Sequence, residues 1–167
     1  MDMCLLLALG LNLIFKIMGI KIIGTNKRAS FDFTLKEKFE AGIVLQGTEV
    51  KVLRQGKVTL NDSYVAIDNN EEVWAYNVNI PHYSFGNINN HQEQRVKKLL
   101  LNHSEIVKIY HEMKTQNLVL VVTKMYFKDS KIKLEFALAK GKKAHDKRDS
   151  EKEKDVARKL QRGNYDD

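Results

Sequence analysis

The chain has 167 residues, with 28 Lys or Arg against 21 Asp or Glu, a formal charge of +7 and a pI near 9.4. That length holds one domain with a tail rather than two cores, and the cationic excess favours polyanionic partners through counterion release. A single cysteine, Cys4, excludes an internal disulfide and a thiolate zinc cluster, and the histidines fall in no metal-ligating spacing.

Residues 1–17 begin MDMCLLLALGLNLIFK, an apolar run too short to span a bilayer. Asp2 stands where a signal peptide has a basic flank, and no small-x-small cleavage site follows. A membrane anchor, a processed leader and translated sequence upstream of a start at Met18 all fit. The expectation is the third, since MGIKIIGTNKRA is an ordinary soluble beginning.

From there short strands predominate. Ile20, Ile22 and Ile23 predict a first strand ending at Gly24-Thr25-Asn26, and Phe31, Phe33 and Leu35 alternate with polar residues in a second. In TLKEKFEAGIVL, Leu35, Phe39, Gly42 and Ile43 lie near one helical face, and Thr34 with Glu37 matches a capping box. A short helix is therefore expected there, limited by Gly42 and Gly47. Strand patterns resume at TEVKVLR, DSYVAID and EVWAYNVNI, with Asn69-Asn70 as a turn between the last two.

Residues 81–94 form a polar loop. Ile106, Ile109, Tyr110 and Met113 then mark an amphipathic helix that could start upstream, among the leucines of KKLLL. LVLVVTKMYFK and the alternation of Ile132, Leu134, Phe136 and Leu138 predict a last hairpin turning at Asp129-Ser130. Six or seven strands with two helices give a mainly β fold, an OB-like closed antiparallel barrel. Beyond residue 141 the composition turns basic. Val156, Ala157 and Leu160 are too few to dock firmly, so the arm is expected to be disordered in isolation and helical on binding. The expected division is an extension over 1–17, a barrel over 18–141 and an arm over 142–167.

Nothing points to an enzyme. No nucleophile elbow, phosphate-binding loop or dinucleotide fingerprint is present. Glu37 with Glu40, and Glu71 with Glu72, are solvated faces or turn residues rather than catalytic pairs. Ser63 and His103 have no supporting motif, and no cofactor or metal is implied. The informative residues are Asn26, Lys27 and Arg28 at a strand end, Arg95, Lys97 and Lys98 before the leucines, and Lys124, Lys128, Lys131 and Lys133 around the last hairpin. With Tyr126 and Phe127, they could bind RNA by phosphate contacts and stacking. Equally, the lysines could be the wet face of ordinary strands; Phe127 and Phe136 are expected in the core.

Six stretches in order resemble one family: GTNKRASFDF, FEAGIVLQGTEVKVLRQGKVTLNDSYV, IPHYSFGNINNH, RVKKLLL, KMYFK and LAKGKKAHDKR. Together they are similar to the SsrA-binding protein (SmpB) family over roughly residues 21–162. The resemblance implies an OB-like barrel that binds the tRNA-like domain of transfer-messenger RNA (tmRNA, SsrA RNA). It also implies a tail that enters the decoding centre and vacant mRNA channel of stalled ribosomes during trans-translation, in the cytoplasm and without a membrane. By motif, Glu40, Leu100 and Lys133 resemble RNA-binding positions, with Asn26, Lys27 and Arg28 on the same surface. Gly141, Lys142, Lys143, Asp146, Lys147 and Arg148 match the ribosome-contacting tail. A carboxylate at Glu40 could accept from a base amine or a 2′-OH, or instead hold basic neighbours on the barrel. Departures are Phe33 where tyrosine is commoner, Asn117 where glycine is common, and an acidic GNYDD tip. A generic OB-type RNA binder is the alternative.

Overall fold

The computed structural model describes residues 19–86 and 89–143. In chain order the elements are β1 (Lys21–Thr25), α1 (Ala29–Asp32), β2 (Phe33–Ile43), α2 (Gly47–Arg54), β3 (Tyr64–Ile67), β4 (Val73–Tyr76), β5 (Lys97–Leu100), α3 (His103–Gln116), β6 (Val119–Lys128) and β7 (Lys131–Gly141). The apolar N-terminal stretch, most of the tail and Asp146, Lys147 and Arg148 lie outside the described residues. Among the described residues no helix is long and apolar enough to cross a membrane.

The β6–β7 hairpin is the longest ladder, running from Lys128↔Lys131 to Val119↔Ala139. It turns through Asp129 and Ser130 at φ 48° and 65°, as a two-residue primed turn requires. β2 pairs with the other edge of β7, β5 with the end of β2, then β4, then β3, and β3 returns to β6. Every pairing is antiparallel. The ring β3-β4-β5-β2-β7-β6 is thus closed, and β1 lies along the stretch of β6 beyond β3. The expected OB-like barrel is present, and closure removes most of the exposed edge. Phe39, Leu99, Leu120, Met125, Leu134 and Phe136 fill its interior, joined by Val52 and Leu53 of α2 and Ile109 of α3. Phe127 is only half-buried.

Two expected elements are exchanged. The helix predicted from Thr34 is strand β2. Phe39 and Ala41 are buried at period two, and a bulge between Leu35 and Lys38 resets the phase that had mimicked a helical face. Glu37 caps no helix but pairs with Lys108. Conversely, TEVKVLR is helix α2, entered by a reciprocal capping box between Gln46 and Glu49 and left through Gly56 at φ +75°. Its buried residues Glu49, Val52 and Leu53 have helical spacing. Smaller differences follow the same logic. Phe31 sits in α1 rather than in a strand. Leu99 and Leu100 of KKLLL enter β5, and α3 begins after its N-cap Asn102. The β3–β4 turn is built on Asp68, which accepts from the N–H groups of Asn70 and Glu72, with Glu71 rather than an Asn in the left-handed region. Asn117 closes α3 at φ 48°, the conformation that favours glycine and that Asn adopts most readily among other residues.

One basic residue of the sequence pattern lies inside. Lys97 and Glu49 are both fully buried. The Lys97 ammonium donates to the carbonyls of Val78 at 2.9 Å and Arg95 at 2.8 Å, and lies 3.6 Å from Glu49 Oε1. Arg95 Nη2 donates to Glu49 Oε2 at 2.8 Å, which also accepts the Gln46 N–H at 2.7 Å. Burial pushes Glu49 up, but Arg95, the Gln46 amide and Lys97 together hold it below the usual carboxylate range. Burial lowers Lys97 despite the opposing Glu49. Lys97 therefore holds β5 to α2 and is withdrawn from any phosphate.

Candidate RNA interface

β2, β5 and β7 bring three of the sequence-predicted residues together. Gly42 of β2 is in register with Leu100 of β5 on one side and with Lys133 of β7 on the other. Glu40 is two residues back and so on the same face of β2. A Cβ on Gly42 would come within 3.3 Å of Leu100 Cβ, so the glycine lets Leu100 lie across the strand. Leu100 is 55% exposed, an apolar side chain on a polar face. Glu40, Gly42, Leu100 and Lys133 line a cavity of about 650 Å³ together with Phe39 and Lys108.

Glu40 is heavily partnered. The Tyr126 hydroxyl donates to its carboxylate, Lys128 Nζ donates to both oxygens at 3.1 and 3.2 Å, and Lys133 Nζ stands 3.7 Å away. The Tyr126 hydrogen bond, then Lys128 and Lys133, hold Glu40 below the usual carboxylate range against the opposing effect of burial. Burial, reinforced by Glu40, raises Tyr126 well above an ordinary phenol. Directly opposite Glu40 in the ladder is Glu135, a like charge that would repel it. Lys124 at 2.9 Å, Lys38 at 3.7 Å and the Thr123 hydroxyl at 2.8 Å surround that second carboxylate. Burial raises Glu135, and Lys124, Thr123 and Lys38 more than reverse the shift. The face is a charge lattice in which Lys38, Lys108, Lys124, Lys128 and Lys133 interleave with Glu37, Glu40, Glu112 and Glu135. The carboxylates fix where the ammonium groups stand.

The Asn26 loop joins the same face through Thr123. Asn26 N–H donates to the Thr123 carbonyl at 2.7 Å, and the Thr123 side chain reaches Glu135. Asn26 itself is only 7% exposed. Its amide donates to Val122 O at 3.0 Å, and its Oδ1 accepts from the N–H groups of Arg28 and Ala29 at 3.2 Å. Asn26 therefore shapes the loop, while Lys27 and Arg28 are presented to solvent, Arg28 3.6 Å from an exposed Asp62. The root of the tail sits beside them. Gly141 pairs with Phe33, Lys142 N–H donates to Asp32 O at 3.0 Å, and its ammonium donates to Ser30 O at 3.2 Å.

Sequence reasoning passed over Gly42, Lys108 and Glu135 and did not assign partners to Tyr126 and Lys128. A signal existed for two of them, since Lys124, Tyr126 and Lys128 recur at period two in a predicted strand. Because Leu100 is exposed, Leu100→Ala should leave stability within about 0.5 kcal/mol of the parent. RNA affinity should fall by about tenfold, the value of an apolar side chain that packs on a partner. Thermal melting and a binding titration on one preparation check this; equal losses of stability and binding would make Leu100 structural.

Comparison with known proteins identifies the family of the chain. The family model described as SmpB protein matches residues 23–165. An SsrA-binding protein of Magnetococcus marinus is 49% identical over 145 residues, covering 87% of this chain and 96% of its own length. One from Sphingopyxis alaskensis is 50% identical over 143 residues, covering 85% and 88%. A solved structure described as "tmRNA-SmpB: a journey to the center of the bacterial ribosome" contains a chain of similar fold, with a TM-score of 0.61 and 38% identity over 72% of this chain and 85% of that one. On the extent of these matches, the chain belongs to the SmpB protein family.

Proposed function

We propose that this protein binds the tRNA-like domain of transfer-messenger RNA with the Glu40–Leu100–Lys133 face and delivers it to stalled ribosomes for trans-translation. The observation that carries the reading is that proteins named as SsrA-binding are identical to this chain at about every second position along most of their length. The face has the chemistry for the task. Glu40 is an organiser: with a phenol and two ammonium groups on it, the carboxylate holds Lys128 and Lys133 in place before RNA arrives, Lys133 lining the same cavity as Leu100. Pre-ordered cations lose less side-chain entropy when phosphates replace their partners. Leu100 then offers an apolar surface to a base or ribose. Lys27 and Arg28 extend the contact towards the tail root.

Residues 18–141 are the RNA-binding barrel in this reading. Residues 142–167 are an arm whose Lys142, Lys143, Asp146, Lys147 and Arg148, together with Gly141 at its root, contact the decoding centre and the empty mRNA path. The work is binding and delivery rather than catalysis, and a protein acting on ribosomes acts in the cytoplasm.

Affinity for the tRNA-like domain should fall by orders of magnitude between about 50 and 200 mM salt if several phosphates are contacted. The triple change Lys27→Ala, Arg28→Ala and Lys133→Ala should weaken binding and flatten the log–log salt slope by about two to three. A titration series in salt measures both, and an unchanged slope would place the interface on another face.

A further inference from the structure

Thr123 ends an aliphatic run, Leu118 to Val122, with a hydroxyl in a buried position of β6. It is also the extra residue of a bulge, since Val122 pairs with Phe136 and Lys124 with Glu135, its neighbour on β7. Asn26 takes up both carbonyls at the bulge. Its N–H donates to Thr123 O at 2.7 Å and its side-chain amide to Val122 O at 3.0 Å. Because Asn26 Oδ1 also accepts from the N–H groups of Arg28 and Ala29, the loop that presents Lys27 and Arg28 is fastened to this point.

The Thr123 side chain fastens the same point to β7. Its hydroxyl stands 2.8 Å from Glu135 Oε1 and 3.1 Å from Glu135 O. Glu135 in turn holds Lys124 at 2.9 Å and Lys38 at 3.7 Å. Lys124 Nζ lies 5.5 Å from the centre of the Tyr126 ring, whose hydroxyl donates to Glu40. Two sets of cations therefore meet at one residue, the loop pair through its backbone and the barrel set through its hydroxyl. Valine has the same shape and a comparable preference for strands, so filling the space does not require the hydroxyl.

We infer that Thr123 is a positioning residue for RNA recognition. It fixes the separation between the Lys27–Arg28 loop and the cations around Glu135 and Glu40, and with it the preference for a folded, tRNA-like RNA over a single strand. Thr123 is 8% exposed and acts through these neighbours rather than by touching RNA. The inference rests on the proposed function in taking the tRNA-like domain as the ligand. Phosphates of a folded RNA stand at set separations, and cations already held at matching ones bind them with little further ordering. A flexible strand adapts to either arrangement. Glu135 separates placement from charge: removing a carboxylate from this face favours every RNA, whereas loosening Lys124 and Lys38 penalises the folded one.

The experiment titrates the full chain, at one salt concentration, with the tRNA-like domain and with an unstructured single strand of equal length. The readout is the ratio of the two affinities. Thr123→Val should lower that ratio by about tenfold, the cost of re-ordering one or two long cationic side chains. Thr123→Ser, which keeps the hydroxyl, should hold it within about threefold of the parent. Glu135→Gln should lower the ratio by about tenfold too, although it makes the face more positive, because charge alone moves both affinities together. Melting curves accompany each titration; if Thr123→Val does not melt cooperatively, Glu135→Gln decides by the same ratio. A ratio within about twofold of the parent in either variant, or equal losses in Thr123→Val and Thr123→Ser, overturns the inference. With a parent that prefers the tRNA-like domain, the proposed function then stands without it. A parent that binds both RNAs equally removes both.

Discussion

A chain ending at Lys143 should bind the tRNA-like domain within about threefold of the full protein, while peptide tagging of stalled ribosomes falls to background. The cut preserves every strand and helix of the barrel and keeps Lys142, which is fastened to α1 through Asp32 O and Ser30 O. What it removes is Asp146, Lys147, Arg148 and the Val156/Leu160 pair. Were residues 146–163 to become helical on the ribosome they would reach about 27 Å, enough to probe an empty RNA-lined channel that a resident message would block. Folding on contact would link the entropic cost of ordering to a vacant ribosome, where many contacts offset it. Asp146→Ala with Lys147→Ala and Arg148→Ala should reproduce the truncation. The measurement is tag addition in a stalled translation reaction beside a direct RNA titration. Normal tagging by the truncated chain would reduce the arm to a dispensable extension.

The second large effect is on stability. Glu49→Gln removes the anion from a fully buried site and leaves Lys97 there with carbonyl partners only. An uncompensated buried charge costs about 3–5 kcal/mol, a large share of the 5–15 kcal/mol typical of a folded domain. Glu49→Leu combined with Lys97→Met should recover most of that loss, because burying the pair was itself costly, and Arg95, partly exposed, can turn to solvent. Denaturant unfolding of the three proteins checks the order. The pH dependence has a definite sign. Glu49, Glu40 and Glu135 are all held below their ordinary value of 4.5 in the folded state. Their stabilising contribution is complete above that pH and is lost as pH falls through the lower folded values. The parent should therefore weaken on acidification below about pH 5, and the Leu/Met double variant should weaken less.

The last hairpin and the closed barrel were readable in the sequence because their signals are local and agree. Asp129-Ser130 sits between two long alternating runs, and the turn takes the left-handed backbone that such a loop demands. The exchanged elements had conflicting signals. Thr34 and Glu37 offered a capping box, but the face of β2 that packs inward is set by its long ladder with β7, and the bulge hides the period. In α2 the valines at 50 and 52 suggested a strand. Gln46 with Glu49 and the trailing Gly56 were the stronger evidence, and Glu49 became interior only because Lys97 and Arg95 come from another element to meet it. The site was half readable. Glu40, Leu100 and Lys133 could be found by motif and do converge on one cavity. The grip of Tyr126 and Lys128 on Glu40 spans more than eighty residues of chain, and periodicity carries no information about it.

The most direct test of the account is the RNA that stays with the protein on purification from cells, with its affinity compared against a single strand of equal length. Transfer-messenger RNA should be strongly enriched, its tRNA-like domain alone should suffice, and Lys133→Ala with Leu100→Ala should abolish the enrichment in a protein that still melts normally. A mixture of single-stranded RNAs without preference for a tRNA-like fold would contradict it, and would make this barrel a general single-strand binder.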